Sequence, residues 1–361
     1  MSDDGPVLDP QCPPQGPLPV PTRSPEPFPG IRRYHHEEFP VQALCSAKQG
    51  RRISVCIPAR NEGETIGSVL APIVRLLTEE GGGVGLVDEV LVVDDGSTDG
   101  TVAVARQWGA RVMSPPSPSG ASPVTLARAP VAAGAGRARP AGRARIVGGE
   151  PTGGEPTGGG RIDEHPGREA RPSPGVAGRA GPGAARRGGA GFGGKGQAMR
   201  AALGEATGDL LVFVDADVAN FSAHFVTGLL GPLLSETPTS LVKGFYERPL
   251  HGAPGGGGRV TELMARPVLD VLFPALADVA QPLAGETAAP RSVLEGCAFA
   301  DGYAVEMALL LDVAARFGTS TIAQVDLGVR VHRNRSLEEL RPQATAILRA
   351  ALDRSHYVID R

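Results

Sequence analysis

The chain has 361 residues and a formal net charge of −3 at pH 7. This balance gives no bias toward nucleic acid or anionic membranes, and the sequence lacks the roughly 18 consecutive apolar residues that would span a bilayer. The four cysteines, at positions 12, 45, 56 and 297, do not have the C-x-x-C spacing of a zinc site. We therefore expect a soluble, cytoplasmic protein with one large α/β domain or two smaller ones.

Two tracts have the composition of unstructured chain. The 50 Gly and 34 Pro exceed average usage and concentrate in residues 1–48 and 115–192. Such segments cannot bury enough apolar surface to offset the entropy lost on ordering, so we predict a disordered Pro-rich leader and a disordered Arg/Gly/Pro/Ala-rich insertion. An Arg-rich arm for nucleic acid is a weaker alternative, because Phe192 is the one aromatic residue in the insertion that could stack on bases.

Outside these tracts, short apolar strands alternate with helical patterns. Strands are predicted over 53–57, 90–93, 111–113, 210–214, 241–246 and from 325 up to His332, with helices over 66–77, 101–108 and 197–206. Strands that alternate with helices indicate a parallel, doubly wound sheet, in which ligands bind beyond the carboxyl ends of the strands. Pro58, Asp95 and Asp215 all fall at such ends.

The most informative run ends an apolar strand with Asp215 and Asp217. Strand side chains alternate between faces, so these two carboxylates point the same way. Two carboxylates this close would repel one another unless a hard cation such as Mg²⁺ or Mn²⁺ lies between them. A polar turn at the end of a strand remains an alternative from this run alone, since Asp is common in turns.

Three other positions carry weaker signals. Lys195 lies in a glycine-rich loop that opens a helix, which suits phosphate, although the loop lacks the Ser or Thr of a P-loop and a hinge explains it equally well. Arg259 begins a helix, where its charge opposes the macrodipole, so an anion contact explains it better than a solvated surface position. A lone His is usually structural, but His332 ends a strand beside Arg330 and Asn334, which favours a ligand role.

These motifs resemble the nucleotide-sugar half of a GT-A glycosyltransferase. They are Pro58-Ala59-Arg60-Asn61-Glu62, Asp94-Asp95-Gly96-Ser97-Thr98-Asp99, Gly194-Lys195-Gly196 and Asp215-Ala216-Asp217. In the second half, the strings at 242–246, 258–262, 281–286, 302–306 and 323–334 closely resemble actinobacterial glucosyl-3-phosphoglycerate synthases. The resemblance covers about residues 50–114 and 193–352.

The resemblance implies an α/β chain with a GT-A fold, in which a Rossmann-like half binds the nucleotide sugar and a second half binds the acceptor. The first half would comprise residues 49–114 and 193–248, and the second would comprise 249–361 with a C-terminal helix. The implied reaction is retaining transfer of glucose from UDP-glucose to the 2-hydroxyl of 3-phosphoglycerate. Transferases that use GDP-mannose, GDP-glucose or glycerate, and a non-catalytic binder of nucleotide sugar or nucleic acid, remain alternatives.

The resemblance also implies a role for each motif residue. The nucleotide sugar would bind Pro58, Ala59, Asn61, Glu62, Asp95, Ser97, Lys195, Asp215, Ala216 and Arg330. Mg²⁺, with Mn²⁺ as a substitute, would bind Asp217 and His332, which form the catalytic set together with Tyr303 and Glu306 beside the sugar. The acceptor would bind Gly258, Arg259, Thr261 and Asn334. A homodimer is also expected, and the C-terminal helix has apolar positions at Ala344, Ile347, Leu348, Ala351 and Leu352 that suit one.

Overall fold

Eight strands form one mixed sheet in the computed structural model, which describes residues 30–77, 84–115, 194–235, 237–249, 258–331 and 336–355. The strands are β1 (Arg32–His35), β2 (Ile53–Ala59), β3 (Glu89–Asp94), β4 (Arg111–Met113), β5 (Leu210–Phe213), β6 (Leu241–Glu247), β7 (Thr287–Pro290) and β8 (Ile322–Val329). Their order across the sheet is β1-β8-β6-β7-β5-β2-β3-β4. All of the described residues belong to one structural unit.

Nine α-helices of the described segments accompany this sheet. They are α1 (Val41–Ala47), α2 (Ile66–Val74), α3 (Thr101–Gln107), α4 (Gly194–Glu205), α5 (His224–Leu234), α6 (Arg266–Leu272), α7 (Arg291–Leu294), α8 (Val305–Phe317) and α9 (Leu337–Arg354). A π-helical segment, Thr261–Ala265, runs directly into α6. No helix within the described ranges is long and apolar enough to cross a membrane.

The predicted α/β class and parallel sheet are confirmed for the first half of the fold. Strand β2 pairs in parallel with β3 and β5, and β3 pairs in parallel with β4. Ile53, Val55 and Ile57 of β2 are fully buried, as expected for a strand covered by helices on both faces. One core cluster contains α2 and α5 residues, and a second contains α4, α8 and α9 residues.

Strand β7 runs antiparallel to both neighbours, β5 and β6. Its first residue, Thr287, lies opposite Phe213, the last residue of β5. The loop that enters β7 is therefore at the same edge of the sheet as the residues that leave β5. This pairing brings Gly285 against Asp215, although about 70 residues separate the two in sequence. Long connections cost little extra loop-closure entropy, so such a contact can form.

The predicted disordered leader is wrong over residues 32–47. Strand β1 pairs in parallel with β8, and α1 follows it after a short turn. Tyr34 and Phe39 pack on the first core cluster, and Leu44 is buried in it. Three apolar anchors thus stabilise a segment that is otherwise rich in charged residues and histidine. The rest of the leader, residues 1–29, lies outside the described residues, and so does the predicted insertion at 115–192 apart from its first residue.

The contact between Phe39 and α5 gives a test of this correction. A Cβ added to Gly231 would lie 2.1 Å from the Phe39 ring, whereas a Cβ at Gly204 in α4 would meet nothing within 4 Å. We expect Gly231→Ala to lower the free energy of unfolding by about 1–3 kcal/mol, because the ring has to move. Gly204→Ala should be neutral or stabilising by up to about 1 kcal/mol. Urea unfolding of both variants measures this, and equal stability of the two would contradict the docking of residues 32–47.

Candidate active site

A cavity of about 470 Å³ opens where the chain leaves β2, β3 and β5. Fifteen of the predicted site residues line it: Pro58, Ala59, Asn61, Glu62, Asp95, Lys195, Asp215, Ala216, Asp217, Gly258, Arg259, Thr261, Tyr303, Glu306 and Arg330. Ser97 lies behind the lining, where its Oγ accepts a hydrogen bond from the Asn61 amide at 2.9 Å. His332 and Asn334 lie outside the described residues. Among the described residues, positions predicted for donor binding, acceptor binding and catalysis therefore share one cavity.

Lys195 lies between two carboxylates of the cavity. Its Nζ is 2.5 Å from Asp215 Oδ1 and 2.7 Å from Glu306 Oε1. Burial alone would lower the pKa of Lys195, but the two carboxylates outweigh it and raise that pKa above its ordinary value. Residues 194–196, predicted as a loop, form the start of α4, and glycine is required at 196 because a Cβ there would lie 1.8 Å from the carbonyl oxygen of Ala300. This close approach fixes the first turn of α4, and with it the ammonium group.

Arg330 follows β8 and joins both strand-end aspartates. Its Nη2 donates to Asp215 Oδ2 at 2.9 Å and to Asp217 Oδ1 at 2.8 Å. Burial would raise the pKa of Asp215, yet Lys195 and Arg330 outweigh burial and hold that pKa well below its usual range. The repulsion on which the metal prediction was based is thus already balanced by two cations from distant parts of the sequence.

A buried acid and a buried phenol fix Arg330. Tyr246 donates its hydroxyl proton to Glu286 Oε2 at 2.6 Å and accepts a hydrogen bond from Arg330 Nη1 at 2.6 Å. The Arg330 Nη1 to Glu286 Oε2 distance is 3.3 Å, and Glu286 is fully buried. Burial raises the pKa of Tyr246 to about 12, so the phenol is protonated and can donate. The sequence analysis did not identify either residue as part of the site.

The loop before β7 presses against Asp215. A Cβ at Gly285 would lie 2.3 Å from each Asp215 carboxylate oxygen, so glycine is required for this approach. Lys243 holds the same loop, since its Nζ donates to the carbonyl oxygen of Ala284 at 2.6 Å and to Thr287 Oγ1 at 3.0 Å. Burial lowers the pKa of Lys243 to about 8.

The loops after β2 and β3 form the end of the cavity predicted for the nucleotide. Asn61 has a φ of +55°, and its Oδ1 accepts a hydrogen bond from the Thr98 amide at 2.8 Å. Asp95 is buried, and its Oδ1 has no hydrogen-bond partner among the described groups. Burial raises the pKa of Asp95, while Arg60, 3.7 Å away, opposes the shift. An unpaired buried acceptor of this kind suits a ligand that presents an N–H group.

The opposite end of the cavity is formed by the start of a helix. Gly258 has a φ of +78°, and the helical run begins at Arg259 and continues through Thr261. Backbone amides at a helix start favour anions. Arg248 lines the same end, since a Cβ at Gly258 would lie 3.3 Å from its Nη1.

Asp217 is the member of the aspartate pair that suits a divalent cation whose other ligands come from a bound molecule. Lys195 and Arg330 bind the two oxygens of Asp215, whereas the described contact of Asp217 with Arg330 uses Oδ1 and leaves Oδ2 for a cation. Carboxylate oxygens are donors that Mg²⁺ and Mn²⁺ accept, and the Asp217 side chain is about a quarter exposed, at 27%. In the part of the chain that the structure describes, no group of three or more His, Cys, Asp or Glu side chains could hold a metal ion. Mg²⁺ is usually held by one or two carboxylates with phosphate oxygens and water, so the donor set present suits it.

Nine lining residues were not predicted: Arg60, Gly194, Ala198, Arg248, Val260, Leu283, Leu340, Gln343 and Ile347. Three of them come from α9, whose apolar face was predicted as a dimer surface. Ile347 and Ala351 of that face are instead buried in the second core cluster of their own chain. Leu348 is 38% exposed. The homodimer thus stays a prediction, with less support from α9 than its sequence suggested.

Comparisons with known proteins show to which proteins this chain is similar. Residues 54–142 match the family model Glycosyl transferase family 2. A glucosyl-3-phosphoglycerate synthase of Mycobacterium tuberculosis (strain CDC 1551 / Oshkosh) is 37% identical over 339 residues, which cover 92% of this chain and 82% of that protein.

Two crystal structures of glucosyl-3-phosphoglycerate synthase from Mycobacterium tuberculosis are also similar. One contains Mn²⁺, UDP-glucose and phosphoglyceric acid, with 35% identity, a TM-score of 0.63, and coverage of 90% of this chain and 87% of that chain. The other contains Mg²⁺ and UDP, with 34% identity, a TM-score of 0.64, and coverage of 91% and 88%. The predicted GT-A fold is confirmed by these similarities.

Lys243 gives a pH-dependent test of the site's scaffold. Its pKa in the folded chain, about 8, lies below its ordinary value of 10.5. Between these values the unfolded chain binds more protons, so Lys243 makes stability rise with pH through this window. Lys243→Met removes that slope. We expect the stability of the variant relative to the parent to fall by about 2 kcal/mol between pH 7 and pH 9.5. Urea unfolding at both pH values measures this, and a pH-independent difference would contradict the buried position of the ammonium group.

Proposed function

The chain belongs to the family of glucosyl-3-phosphoglycerate synthases, and from this membership we propose that it transfers glucose from UDP-glucose to 3-phosphoglycerate. The observation that supports the proposal most directly is the single cavity shared by the strand-end aspartates, the glycine-rich loops and the Arg259 helix start. The two phosphorylated substrates cannot cross a bilayer unaided, which supports a cytoplasmic location. A homodimer remains part of the proposal on family resemblance alone.

The uridine binds between the loops after β2 and β3. Pro58 and Ala59 form an apolar side of this end, and Asn61 and Glu62 continue it. The buried, unpaired Asp95 Oδ1 accepts the N–H of the uracil ring, which relieves an unsatisfied acceptor. Ser97 holds Asn61 in its left-handed conformation through the 2.9 Å hydrogen bond to the Asn61 amide.

The diphosphate lies over the pair of aspartates. Arg330 and Lys195, the two cations already bound to Asp215, stabilise the charge that grows on the departing UDP. Asp217, together with His332, holds the divalent metal ion, and Asp215 and Ala216 border the site. When bound, the metal ion supplies Lewis-acid stabilisation of the leaving diphosphate.

Glucose and acceptor meet between these groups and the helix start. Tyr303 and Glu306 line the sugar, where the Glu306 carboxylate accepts hydrogen bonds from glucose hydroxyls. The acceptor's phosphate binds Arg259, Thr261 and the amides after Gly258, with Asn334 as a further donor. The 2-hydroxyl of the acceptor attacks the anomeric carbon from the same face that UDP leaves.

The transfer requires no nucleophile from the enzyme. The bond from the anomeric carbon to the phosphate oxygen breaks, and a bond from that carbon to the acceptor oxygen forms. The hydroxyl proton passes to the departing phosphate oxygen. Because the new bond forms on the face that UDP leaves, the stereochemistry at the anomeric carbon is retained. The residues of the cavity orient the two substrates and stabilise charge, which are the contributions that positioning and preorganised electrostatics make.

The metal assignment is tested by one carboxylate and its control. We expect UDP release only when UDP-glucose, 3-phosphoglycerate and Mg²⁺ are all present, and its loss in excess EDTA. Asp217→Asn should reduce turnover by at least about 100-fold, because an amide is a poor ligand for a hard cation. Asp270→Asn, which changes an exposed acid on α6, should leave turnover unchanged. Undiminished activity in EDTA or in Asp217→Asn would exclude this role.

Arg259 is tested by acceptors that differ in their phosphate. Arg259→Ala should raise the KM for 3-phosphoglycerate by at least about tenfold, since it removes a charge-assisted contact to the phosphate. The same variant should change the KM for glycerate, which lacks the phosphate, by less than about twofold. Steady-state KM values for the two acceptors measure the difference. An equal loss for both acceptors would show that Arg259 does not bind the phosphate.

A further inference from the structure

The basic side chains of the cavity differ in how their charge is balanced. They are Arg60, Lys195, Arg248, Arg259 and Arg330. Lys195 and Arg330 each bind carboxylates within 3 Å, and Arg60 is 3.7 Å from Asp95. Arg248 is different, because none of the carboxylates that the structure describes lies within ion-pair distance of it. Its guanidinium therefore has no carboxylate partner in direct contact among the described residues.

The described contacts of Arg248 are with neutral groups. Its Nη2 donates to the Tyr246 hydroxyl at 3.0 Å, and its guanidinium lies 4.9 Å from the centre of the Tyr246 ring. Its Nε is buried without a hydrogen-bond partner in the described chain. A partly buried cation with neutral partners only is costly, and a bound anion would offset that cost.

Arg248 lies between the two ends of the site. On one side, the Tyr246 hydroxyl that accepts from Arg248 also accepts from Arg330 Nη1 at 2.6 Å, and Arg330 binds the aspartate pair. On the other side, Arg248 Nη1 borders Gly258, directly before Arg259. An anion bound to Arg248 would thus lie between the departing diphosphate and the acceptor's phosphate.

We infer that Arg248 binds the carboxylate of the acceptor, an inference that rests on the proposed function. The carboxylate of 3-phosphoglycerate is attached to the carbon that bears the attacking hydroxyl, whereas the phosphate is on the far carbon. With the phosphate at Arg259 and the hydroxyl at the sugar, the carboxylate falls in the region that Arg248 lines. A guanidinium is the side chain best matched to a carboxylate, because its N–H groups form a planar fork. Arg248 would therefore determine the enzyme's preference for a hydroxy acid over a simple alcohol phosphate.

The test compares acceptors that lack one anionic group. Binding is measured by calorimetry to the full-length protein with UDP and Mg²⁺, using 3-phosphoglycerate and glycerol 3-phosphate, which has no carboxylate. We expect Arg248→Met to weaken the binding of 3-phosphoglycerate at least about tenfold and to change the binding of glycerol 3-phosphate by less than about twofold. The parent should bind glycerol 3-phosphate more weakly than 3-phosphoglycerate by about the same factor, because both changes remove the same contact.

Matched controls separate this role from a structural one. Arg33 stacks on Phe245 at 5.1 Å, so Arg33→Met removes a similar cation–π contact outside the cavity and should leave both affinities unchanged. The inference would be overturned if Arg248→Met lost affinity equally for the two acceptors. In that case removing the side chain and removing the carboxylate would weaken binding independently, and Arg248 would only support Tyr246.

A second variant covers the case in which Arg248→Met does not fold. Arg248→Lys keeps the charge but not the fork, and should weaken 3-phosphoglycerate by at least about threefold while sparing glycerol 3-phosphate. A lack of this discrimination in Arg248→Lys would equally overturn the inference. If the parent itself does not bind 3-phosphoglycerate, the proposed function fails, which is a different result from a loss of discrimination in the variants.

Discussion

The active site depends on the neutralisation of Asp215 and Asp217 by Lys195 and Arg330. Buried carboxylates without a partner cost several kcal/mol each, so the fold must deliver both cations to the end of β5. Lys195 arrives on the first turn of α4, where Gly196 is locked against the Ala300 carbonyl. Arg330 arrives from β8 and is fixed by Tyr246 and Glu286. The close approach of Gly285 to Asp215 and the hydrogen bonds of Lys243 to the loop before β7 hold this group of charges in place.

The charges also divide the cavity into regions with different chemistry. At the aspartate end, each cation is already matched by acids, so a diphosphate that arrives there joins a balanced network. At the Gly258 end, Arg248 has neutral neighbours and the helix start presents amides, so that end has net attraction for anions. A doubly anionic acceptor is therefore drawn toward the end opposite the nucleotide. This separation orients the two substrates before any bond changes.

Sequence patterns predicted much of this arrangement, for identifiable physical reasons. Apolar runs fixed β2, β3 and β5, and alternation placed Asp215 and Asp217 on one face, because these signals are local. Glu286 and Tyr246 were not identified as site residues, since their contacts depend on the antiparallel insertion of β7, which no local pattern encodes. The ordered segment 32–47 was missed because its composition resembles a linker, while a few apolar anchors decide its position. The prediction of a metal from the repulsion between Asp215 and Asp217 was also incomplete, because Arg330, which balances both charges, comes from far along the chain.

Strand order has a consequence for the growing chain on the ribosome. Strand β1 is the first of the described strands to be made, and its pairing in the described sheet is with β8, which ends at Val329. During synthesis, β1 therefore waits with open backbone groups until β8, far along the chain, has emerged. The same delay applies to Asp215, whose guanidinium partner follows β8. Strands β2 to β5 can pair as they appear, but the catalytic edge closes only after β8 and Arg330 have left the ribosome.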